Sequence, residues 1–460
     1  MEVGNGKQKI MQIKQFEDKN LSHYSYAVLS DCEKKMIVID PARNAKQYFD
    51  FAKENDAQIT GIIETHPHAD FVSGHYELHQ TTGATIYTSK EVHAFYPHQA
   101  FDEDQTIQLG EIKLTALNTP GHSPDSISIL LEHKGKQKAV FTGDTLFIGD
   151  CGRPDLREGA GNIQTTRTEL ATKMYHSLRD KLMKLEGDVI VYPAHGAGTL
   201  CGKNVSRESS STIAEEKKTN WCLQAATVEE FVQNLLADQP FVPNYFPFNV
   251  ELNRKGAAGL KESIDKIKTS DTINEKTASA LDKSLWVIDT RNEEDFKKGH
   301  LPHSINLMEN GKFETWLGSI IQPDEKFYLA CNSKEQLHTM LERTAAIGYE
   351  NQVAEGFLIE SGTIKEEEMK VDEFENHQQD YTIVDVRNMT EVNEGKIFQN
   401  SISIPLAEII NRVNEIPTDR PIVVHCAGGY RSAAASSLIY SHLHGSVKVL
   451  DLGEAVKQFQ

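Results

Sequence analysis

Six histidine and aspartate residues occur in short motifs that are typical of metal binding. The first motif is His-x-His-x-Asp in "THPHADF", and single candidates follow in "TPGHSPD", "FTGDT" and "YPAHG". Imidazole and carboxylate groups are common ligands of zinc and iron. Any one of these residues alone is more often a surface or core polar residue, but the set in this order predicts a metal site. The candidates are His66, His68, Asp70, His122, Asp144 and His195.

The residue that follows the His-x-His-x-Asp motif is Phe71, which has no metal-binding atom. Binuclear metallo-hydrolases with this motif usually have a histidine at that position. A stable metal site needs a full ligand set, and the loss of one nitrogen weakens a second site. The sequence therefore predicts one bound metal ion instead of two.

A reactive cysteine is predicted in "VVHCAGGYRS". An apolar strand leads to Cys426, and Gly428, Gly429, Tyr430 and Arg431 follow before a run of small helix formers. Small residues allow backbone N–H groups to turn toward the sulfur. The start of the helix and the arginine add positive potential, which favours a thiolate or a bound persulfide. The alternative is an inert core cysteine.

Apolar runs lead to several of the metal-ligand candidates. "ITGIIETH" ends at His66, "KAVFTGDTLF" contains Asp144, "DVIVYPAHG" contains His195, and the earlier "KKMIVIDP" ends just after Asp40. Such runs predict buried strands, and loops that follow strands gather functional side chains in layered α/β proteins. The segment "STIAEEKKTNWCLQ" predicts a helix that closes this domain near residue 225.

The second half of the chain contains an approximate internal repeat. "WVIDTRNEEDF" and "TIVDVRNMTEV" both combine a strand, an Asp-x-Arg motif and an acidic helix, and 96 residues separate Asp289 from Asp385. Similarly, 95 residues separate Cys331 from Cys426. Nearly equal spacing at two points indicates a duplicated α/β module with a parallel sheet. A charged, helix-prone linker is expected at 363–379.

Length, charge and cysteine content limit the classes of protein. A chain of 460 residues is expected to form two to four domains. The net charge of −19 argues against nucleic acid or an anionic membrane as partner. We find no apolar run long enough for a transmembrane helix and no signal-peptide pattern at the start. The six cysteines have no disulfide-rich spacing, so we expect a cytoplasmic protein with free thiols.

The metal-binding motifs resemble those of the metallo-β-lactamase-fold persulfide dioxygenases. The blocks "VIDP", "THPHADF", "GHSPD", "TGDT" and "PAHG" carry the resemblance, and "GDCGRPDL" matches the loop after the metal-binding aspartate. It implies an αββα sandwich over residues 1–225. Arg153 in the matching loop is expected either to bind a substrate carboxylate or to form a structural ion pair.

The same resemblance implies a mononuclear Fe(II) cofactor. Two imidazoles and one carboxylate form the facial triad of non-haem Fe(II) oxygenases, with open positions for substrate and O₂. The implied iron ligands are His66, His122 and Asp144. The remaining candidates are expected to orient ligands or to hydrogen-bond water and substrate. These are His68, Asp70 and His195.

The two repeated modules resemble rhodanese domains, which are α/β domains with central parallel sheets. The Cys-x4-Arg spacing of the second module is one residue shorter than that of cysteine phosphatases. The resemblance to rhodanese domains implies a catalytic role for Cys426 and Arg431 and a substrate-binding role for Gly428, Gly429 and Tyr430. The module at 226–365 has Gln336 in place of the arginine and lacks the glycines, so it is expected to be degenerate. The active module is expected at 366–460.

The whole architecture resembles bacterial persulfide dioxygenase–rhodanese fusion proteins, which act in sulfide detoxification. The resemblance implies that a low-molecular-weight thiol persulfide is oxidised with O₂ to sulfite. Cys426 then transfers sulfane sulfur to sulfite, which gives thiosulfate. A homo-oligomer is also expected. Two alternatives remain at this point: a zinc-dependent glutathione thioester hydrolase, and a sulfur carrier that acts only through Cys426.

Overall fold

The computed structural model describes residues 11–157, 166–273 and 275–460. The chain forms two compact units, Met1–Leu260 with Ala346–Gly348 and Lys261–Ala345 with Tyr349–Gln460. Among the described residues, no helix is both long enough and apolar enough to cross a membrane. Residues 226–260 lie with the first unit because Phe231 and Leu235 pack into its core. The division at 225 and 365 into three functional domains stays a prediction.

The first unit contains the strands and helices that surround the metal-ligand candidates. Its strands are β1 (Gln12–Asp18), β2 (His23–Leu29), β3 (Lys35–Ile39), β4 (Gln58–Ile63), β5 (Thr85–Thr88), β6 (Gln99–Ala100), β7 (Thr106–Leu109), β8 (Ile112–Asn118), β9 (Ile127–His133), β10 (Lys136–Gly143), β11 (Ile190–Pro193) and β12 (Ser211–Thr212). Its helices are α1 (Lys46–Glu54), α2 (His75–Thr82), α3 (Arg167–Asp180), α4 (Ile213–Thr219), α5 (Trp221–Gln224), α6 (Val228–Leu236) and α7 (Tyr245–Lys255).

These elements form the predicted αββα sandwich. The described strands make two six-stranded sheets, in the orders β1-β2-β3-β4-β5-β6 and β12-β11-β10-β9-β8-β7. One apolar layer lies between the sheets, a second lies under α1 and α2, and a third lies under α3, α4 and α6. Alternation along β9 explains the arrangement, since Ile129 and Leu131 face the other sheet whereas Leu130 faces the helices.

The helix predicted to close the first domain forms with one break. Helices α4 and α5 are separated by Asn220, whose side chain accepts a hydrogen bond from the Cys222 amide and caps α5. The Asn220 side-chain amide also donates to the carbonyls of Phe147 and Asp150. The break therefore fastens this helical segment to the loop that follows β10.

The second unit contains the repeated modules. From residue 260 onward, the helices are α8 (Leu260–Asp265), α9 (Glu275–Ala278), α10 (Glu293–Lys298), α11 (Phe313–Ile320), α12 (Lys334–Ala346), α13 (Val371–Asn376), α14 (Met389–Glu394), α15 (Ile409–Arg412) and α16 (Tyr430–His442). The strands are β13 (Thr269–Ile273), β14 (Trp286–Asp289), β15 (Ser304–Asn306), β16 (Phe327–Cys331), β17 (Val353–Ile359), β18 (Thr382–Asp385), β19 (Ile402–Ser403), β20 (Ile422–His425) and β21 (Val449–Asp451).

The duplication seen in the sequence appears as two parallel sheets. Their strand orders are β13-β17-β16-β14-β15 and β19-β18-β20-β21, and the strand pairs in both are parallel. The linker expected to be helix-prone over 363–379 is helical over only Val371–Asn376, with a single 3₁₀ turn at Gln378–Asp380. Ile364 instead forms a β-bridge with His300, and this backbone pairing excludes a helix there.

Candidate metal centre and sulfur site

The structure brings the three implied iron ligands into one buried cluster. The Asp144 Oδ2 atom lies 3.5 Å from His122 Nε2 and 3.9 Å from His66 Nε2. The centroids of the two imidazole rings are 4.9 Å apart. Ligand atoms at about 2.1 Å from one ion lie roughly 3–3.5 Å from each other. The cluster therefore has a size that one metal ion fits with small side-chain movements.

These three side chains lie in loops that directly follow or connect strands. His66 follows β4, Asp144 follows β10, and His122 lies in the turn between β8 and β9. Gly143 has a left-handed φ of 51°, and a Cβ there would lie 2.6 Å from the Thr65 hydroxyl. Only glycine lets the chain pass Thr65 this closely before it presents Asp144.

Hydrogen bonds to the outer ring nitrogens orient both histidines. The Nδ1 atom of His122 lies 2.8 Å from the Arg153 carbonyl, and the Nδ1 atom of His66 lies 3.0 Å from the Thr65 hydroxyl. The Thr65 hydroxyl donates in turn to the Asp40 carboxylate. The Nε2 atoms are thereby directed at Asp144, as supporting hydrogen bonds do in metal sites.

The three residues expected to support the ligands form an adjoining cluster. His195 Nε2 lies 3.4 Å from Asp70 Oδ2 and 3.6 Å from Asp144 Oδ1. The His68 ring lies between two neighbours, with its Nε2 atom 3.2 Å from Asp40 Oδ1 and its centroid 4.3 Å from that of His66. Burial lowers the pKa of His68, but the Asp40 carboxylate outweighs this and raises the value to about 9.

Phe71 occupies the place next to this second cluster. Its ring is 1% exposed and lies 4.3 Å from the His68 ring and 3.9 Å from the His23 ring, measured between centroids. Sequence reasoning missed His23, which starts β2 and forms a β-bridge with His195. Burial lowers the pKa of His23, so its imidazole is neutral. An apolar ring thus fills the position where a further ligand would stand.

Several buried polar atoms at this centre have no hydrogen-bond partner among the described residues. They include both oxygens of Asp144, Oδ1 of Asp70, Nε2 of His195 and both ring nitrogens of His68. Buried polar atoms without partners are rare, and each needs an explanation. A metal ion with its bound water would satisfy them, so these residues fit the implied cofactor.

Arg153 is buried and forms an ion pair with Asp155. Its side chain is 1% exposed, and it forms two hydrogen bonds with Asp155 at 2.7 Å and 2.6 Å. The guanidinium also donates to the carbonyls of Leu200 and Phe241. This arrangement favours the ion-pair alternative over the binding of a substrate carboxylate. The Arg153 carbonyl, which holds His122, links the ion pair to the metal cluster.

We expect Arg153→Met to destabilise the first unit by about 3 kcal/mol, because it leaves the Asp155 carboxylate without its partner. Chemical denaturation measures this change. The protein that remains folded should keep its KM for the substrate unchanged. A large rise in KM with unchanged stability would instead support the substrate-binding role.

Two further cysteine-containing clusters lie near the centre. The Cys201 sulfur lies within 4.8 Å of ligand atoms of Asp144 and His195. Burial, together with the nearby carboxylates, raises the pKa of its thiol. The sulfurs of Cys151 and Cys222 are 2.8 Å apart, and burial raises the pKa of both. Such thiols stay protonated at neutral pH and act as packing groups.

The sulfur site has the predicted cradle. The Cys426 sulfur accepts hydrogen bonds from the amides of Gly429 at 3.1 Å and Gly428 at 3.5 Å. Gly429 has a φ of 101° and caps α16, so the helix begins directly behind the sulfur. Backbone amides and a helix start stabilise negative charge on sulfur.

Arg431 and Tyr430 have partners that the sequence did not reveal. Arg431 forms hydrogen bonds with both carboxylate oxygens of Glu391. Burial raises the pKa of Glu391, but Arg431 outweighs this and lowers it overall. The Tyr430 hydroxyl donates to the Met308 carbonyl at 3.1 Å, so its side chain is directed at the first module. The acidic stretch "NMTEVNE" was the available signal for Glu391.

The equivalent place in the first module lacks a cradle. The Cys331 sulfur accepts a hydrogen bond from the Thr290 hydroxyl at 3.2 Å, and burial raises the pKa of the thiol to about 12. Gln336 donates to the Thr290 carbonyl and to the Glu309 carboxylate. Cys331 is therefore protonated at neutral pH, and Gln336 stands at the position that Arg431 holds in the second module.

Comparison with known proteins agrees with this architecture. The family model of the metallo-beta-lactamase superfamily matches residues 20–195, and the model of the rhodanese-like domain matches residues 273–356 and 370–455. The chain belongs to the metallo-beta-lactamase superfamily and carries two rhodanese-like domains after its metallo-β-lactamase domain. This is the architecture of persulfide dioxygenase–rhodanese fusion proteins.

The similar proteins include a persulfide dioxygenase, a hydroxyacylglutathione hydrolase and a solved metallo-beta-lactamase structure. The mitochondrial persulfide dioxygenase ETHE1 of Bos taurus is 27% identical over 219 residues, which are 47% of this chain and 77% of that protein. A hydroxyacylglutathione hydrolase of Francisella tularensis subsp. novicida is 32% identical over 192 residues, 40% of this chain and 68% of that protein. The crystal structure of a metallo-beta-lactamase from Staphylococcus aureus subsp. aureus COL has a TM-score of 0.67 at 29% identity, over 76% of this chain and 99% of that one.

Proposed function

We propose that the protein oxidises a low-molecular-weight thiol persulfide with O₂ at a mononuclear non-haem iron and transfers sulfane sulfur through Cys426. The single observation that carries the proposal is the buried cluster of His66, His122 and Asp144, with Phe71 in place of a ligand next to the adjoining cluster. Two imidazoles and one carboxylate are the donor set of non-haem Fe(II) oxygenases. The persulfide dioxygenase relative and the rhodanese-like domains support the two halves of the reaction.

The chemistry balances as two coupled reactions. In the first, thiol persulfide, O₂ and water give the free thiol, sulfite and two protons. In the second, Cys426 takes the terminal sulfur of another persulfide and releases its thiol, and sulfite then removes this sulfur from the cysteine as thiosulfate. The iron, when bound, activates O₂ and the persulfide sulfur together.

The protein residues have distinct tasks in this scheme. His66, His122 and Asp144 would hold the iron, and His195 would form a hydrogen bond with water or with the substrate. Gly428 and Gly429 donate to the sulfur of Cys426 and stabilise its anion and its persulfide. Carrying both sites on one chain raises the effective concentration of sulfite at Cys426.

The residues of the adjoining cluster favour a single metal ion. The Nε2 atom of His68 lies 3.2 Å from Asp40 Oδ1, and this contact competes with metal binding by that nitrogen. Phe71 supplies no ligand, so Asp70 and His195 remain for a second ion besides His68. Without His68, two protein ligands are fewer than stable catalytic sites use.

The hydrolase relative makes a glutathione thioester hydrolase the second candidate. The two functions differ in their need for oxygen. Under our proposal, turnover of glutathione persulfide stops when O₂ is removed, and a glutathione thioester is not cleaved. Cleavage of the thioester under nitrogen by the zinc-loaded protein, without persulfide oxidation in air, would favour the hydrolase.

We expect Phe71→His to create a second metal site, because an imidazole beside His68 would complete the adjoining ligand set. Zinc bound per chain, measured by atomic emission after dialysis, should rise from one to two. Phe71→Leu removes the aromatic ring without adding a ligand and is the matched control. A content of one zinc ion in both variants would mean that Phe71 does not control the number of metal ions.

A further inference from the structure

Tyr430, the residue after the cradle glycines, packs against the first rhodanese-like module. We call residues 308–312 the supporting loop; it leads from β15 toward α11. Gly311 in this loop has a φ of 152°, and a Cβ built there would lie 2.3 Å from the Tyr430 ring. The ring therefore lies directly against the backbone of Gly311. A larger residue at position 311 would displace it.

Two polar contacts add to this packing. The Tyr430 hydroxyl donates to the Met308 carbonyl at 3.1 Å. Further along α16, the Ser437 hydroxyl accepts a hydrogen bond from the Asn306 amide at 3.1 Å, and its side chain is 1% exposed. Helix α16, which begins directly behind Cys426, is thus fixed to β15 and to the supporting loop.

The supporting loop is held in turn by one face of α12. Arg343 donates to the carbonyls of Glu309 and Gly311 and forms a two-bond ion pair with Glu314 at 2.6 Å and 2.7 Å. Gln336 lies seven residues earlier on the same face and donates to the Glu309 carboxylate at 3.0 Å. The residue that replaces the arginine of an active module therefore holds the supporting loop.

We propose that the degenerate first module positions the cradle of Cys426 through Tyr430. Tyr430 follows Gly429 directly, and the Gly429 amide makes the shorter of the two hydrogen bonds to the Cys426 sulfur. A shift of the tyrosine ring moves this amide away from the sulfur. Tyr430, Gly311 and Arg343 are positioning residues for sulfur transfer. In this proposal, the degenerate module supports sulfur transfer at Cys426 through this contact and not through its own cysteine.

The test measures the reactivity of Cys426 directly. This inference rests on the sulfur-transfer half of the proposed function, but alkylation of the thiol requires no sulfur transfer and so separates the two. The full-length protein is treated with iodoacetamide at several pH values, and the modified Cys426 peptide is quantified by mass spectrometry. Peptide resolution is needed because Cys32 is exposed, unlike the buried Cys426, and reacts with iodoacetamide as well.

We expect Tyr430→Ala to slow alkylation of Cys426 at neutral pH by about tenfold, since a weakened N–H donor destabilises the thiolate. Tyr430→Phe keeps the ring but loses the hydrogen bond to Met308, so its rate should fall between those of the wild type and Tyr430→Ala. Gly311→Ala should resemble Tyr430→Ala. Gly395→Ala is the matched control, because a methyl group there meets no atom within 4 Å.

A double-mutant cycle tests whether Gly311 and Tyr430 act through the same contact. Because Gly311→Ala and Tyr430→Ala disrupt the same contact, the double variant should be no slower than either single variant. Multiplied effects would mean that the residues act independently, which would overturn the proposal. A wild-type rate in Tyr430→Ala would overturn it even if Gly311→Ala failed to fold. Slow alkylation with normal thiosulfate formation in every variant would instead contradict the proposed use of Cys426.

Discussion

Replacement of Cys426 by serine is expected to abolish thiosulfate formation while sulfite production and oxygen uptake continue. The serine hydroxyl fits the cradle but does not accept sulfane sulfur, so transfer should fall by about three orders of magnitude. Product analysis by thiol derivatisation and chromatography measures both anions in one sample. Sulfite should accumulate in the variant because nothing consumes it.

Cys331→Ser is the matched control for this experiment. Cys331 holds the equivalent place in the first module, where the pKa of the thiol is raised to about 12 and no cradle surrounds it. Both activities should survive this change. Loss of sulfite as well as thiosulfate in Cys426→Ser would contradict the assignment of separate sites. A stable persulfide on wild-type Cys426 without any oxygen uptake would favour the sulfur-carrier alternative.

Replacement of a metal-ligand candidate is expected to have the opposite selectivity. His122→Ala and Asp144→Ala each remove one of the three proposed protein ligands, so bound iron should fall below a tenth of its wild-type content. Oxygen uptake should fall by at least about 100-fold, since even changes to supporting residues cost 10–100-fold in such sites. Iron analysis and an oxygen electrode measure the two effects.

The rhodanese-like domains provide the internal control for these variants. Transfer of sulfur from thiosulfate through Cys426 would require no metal, and its persistence would show that the second unit is folded. Oxygen uptake at the wild-type rate in either variant would contradict the proposed ligand set. Retained iron with lost uptake would show that the residue acts on substrate instead of the metal.

The position of the candidate metal centre in the fold could be predicted because its residues lie just after strands. The apolar runs before His66 and Asp144 predicted β4 and β10, and loops after strands of packed sheets meet at one edge. The motif spacing and the resemblance then selected which residues to expect there. The duplicated module was predictable for a similar reason, since a repeat in sequence folds into the same order of strands.

Other parts of the sites depend on contacts between distant residues, which spacing does not encode. Asp40 pairs with His68, and Glu391 pairs with Arg431 across 40 residues. The contact between Tyr430 and the supporting loop joins residues from different modules. Local patterns indicate where a strand or helix forms, but only the packed structure determines which side chains meet.

Arg153 illustrates how burial decides between two interpretations of one residue. The sequence allowed a carboxylate-binding role or a structural ion pair, because arginine makes the same two-bond contact in both cases. The ion pair with Asp155 and a side-chain exposure of 1% now favour the second. No sequence pattern distinguishes a buried arginine from an exposed one in a loop of this kind.

Oxygen uptake by the Fe(II)-loaded protein on addition of glutathione persulfide tests the central claim most directly. We predict consumption of one O₂ for each sulfite formed, with thiosulfate appearing as further persulfide is supplied. Absence of uptake by the iron-loaded protein with glutathione, coenzyme A and cysteine persulfides alike, together with hydrolysis of a glutathione thioester, would contradict the account.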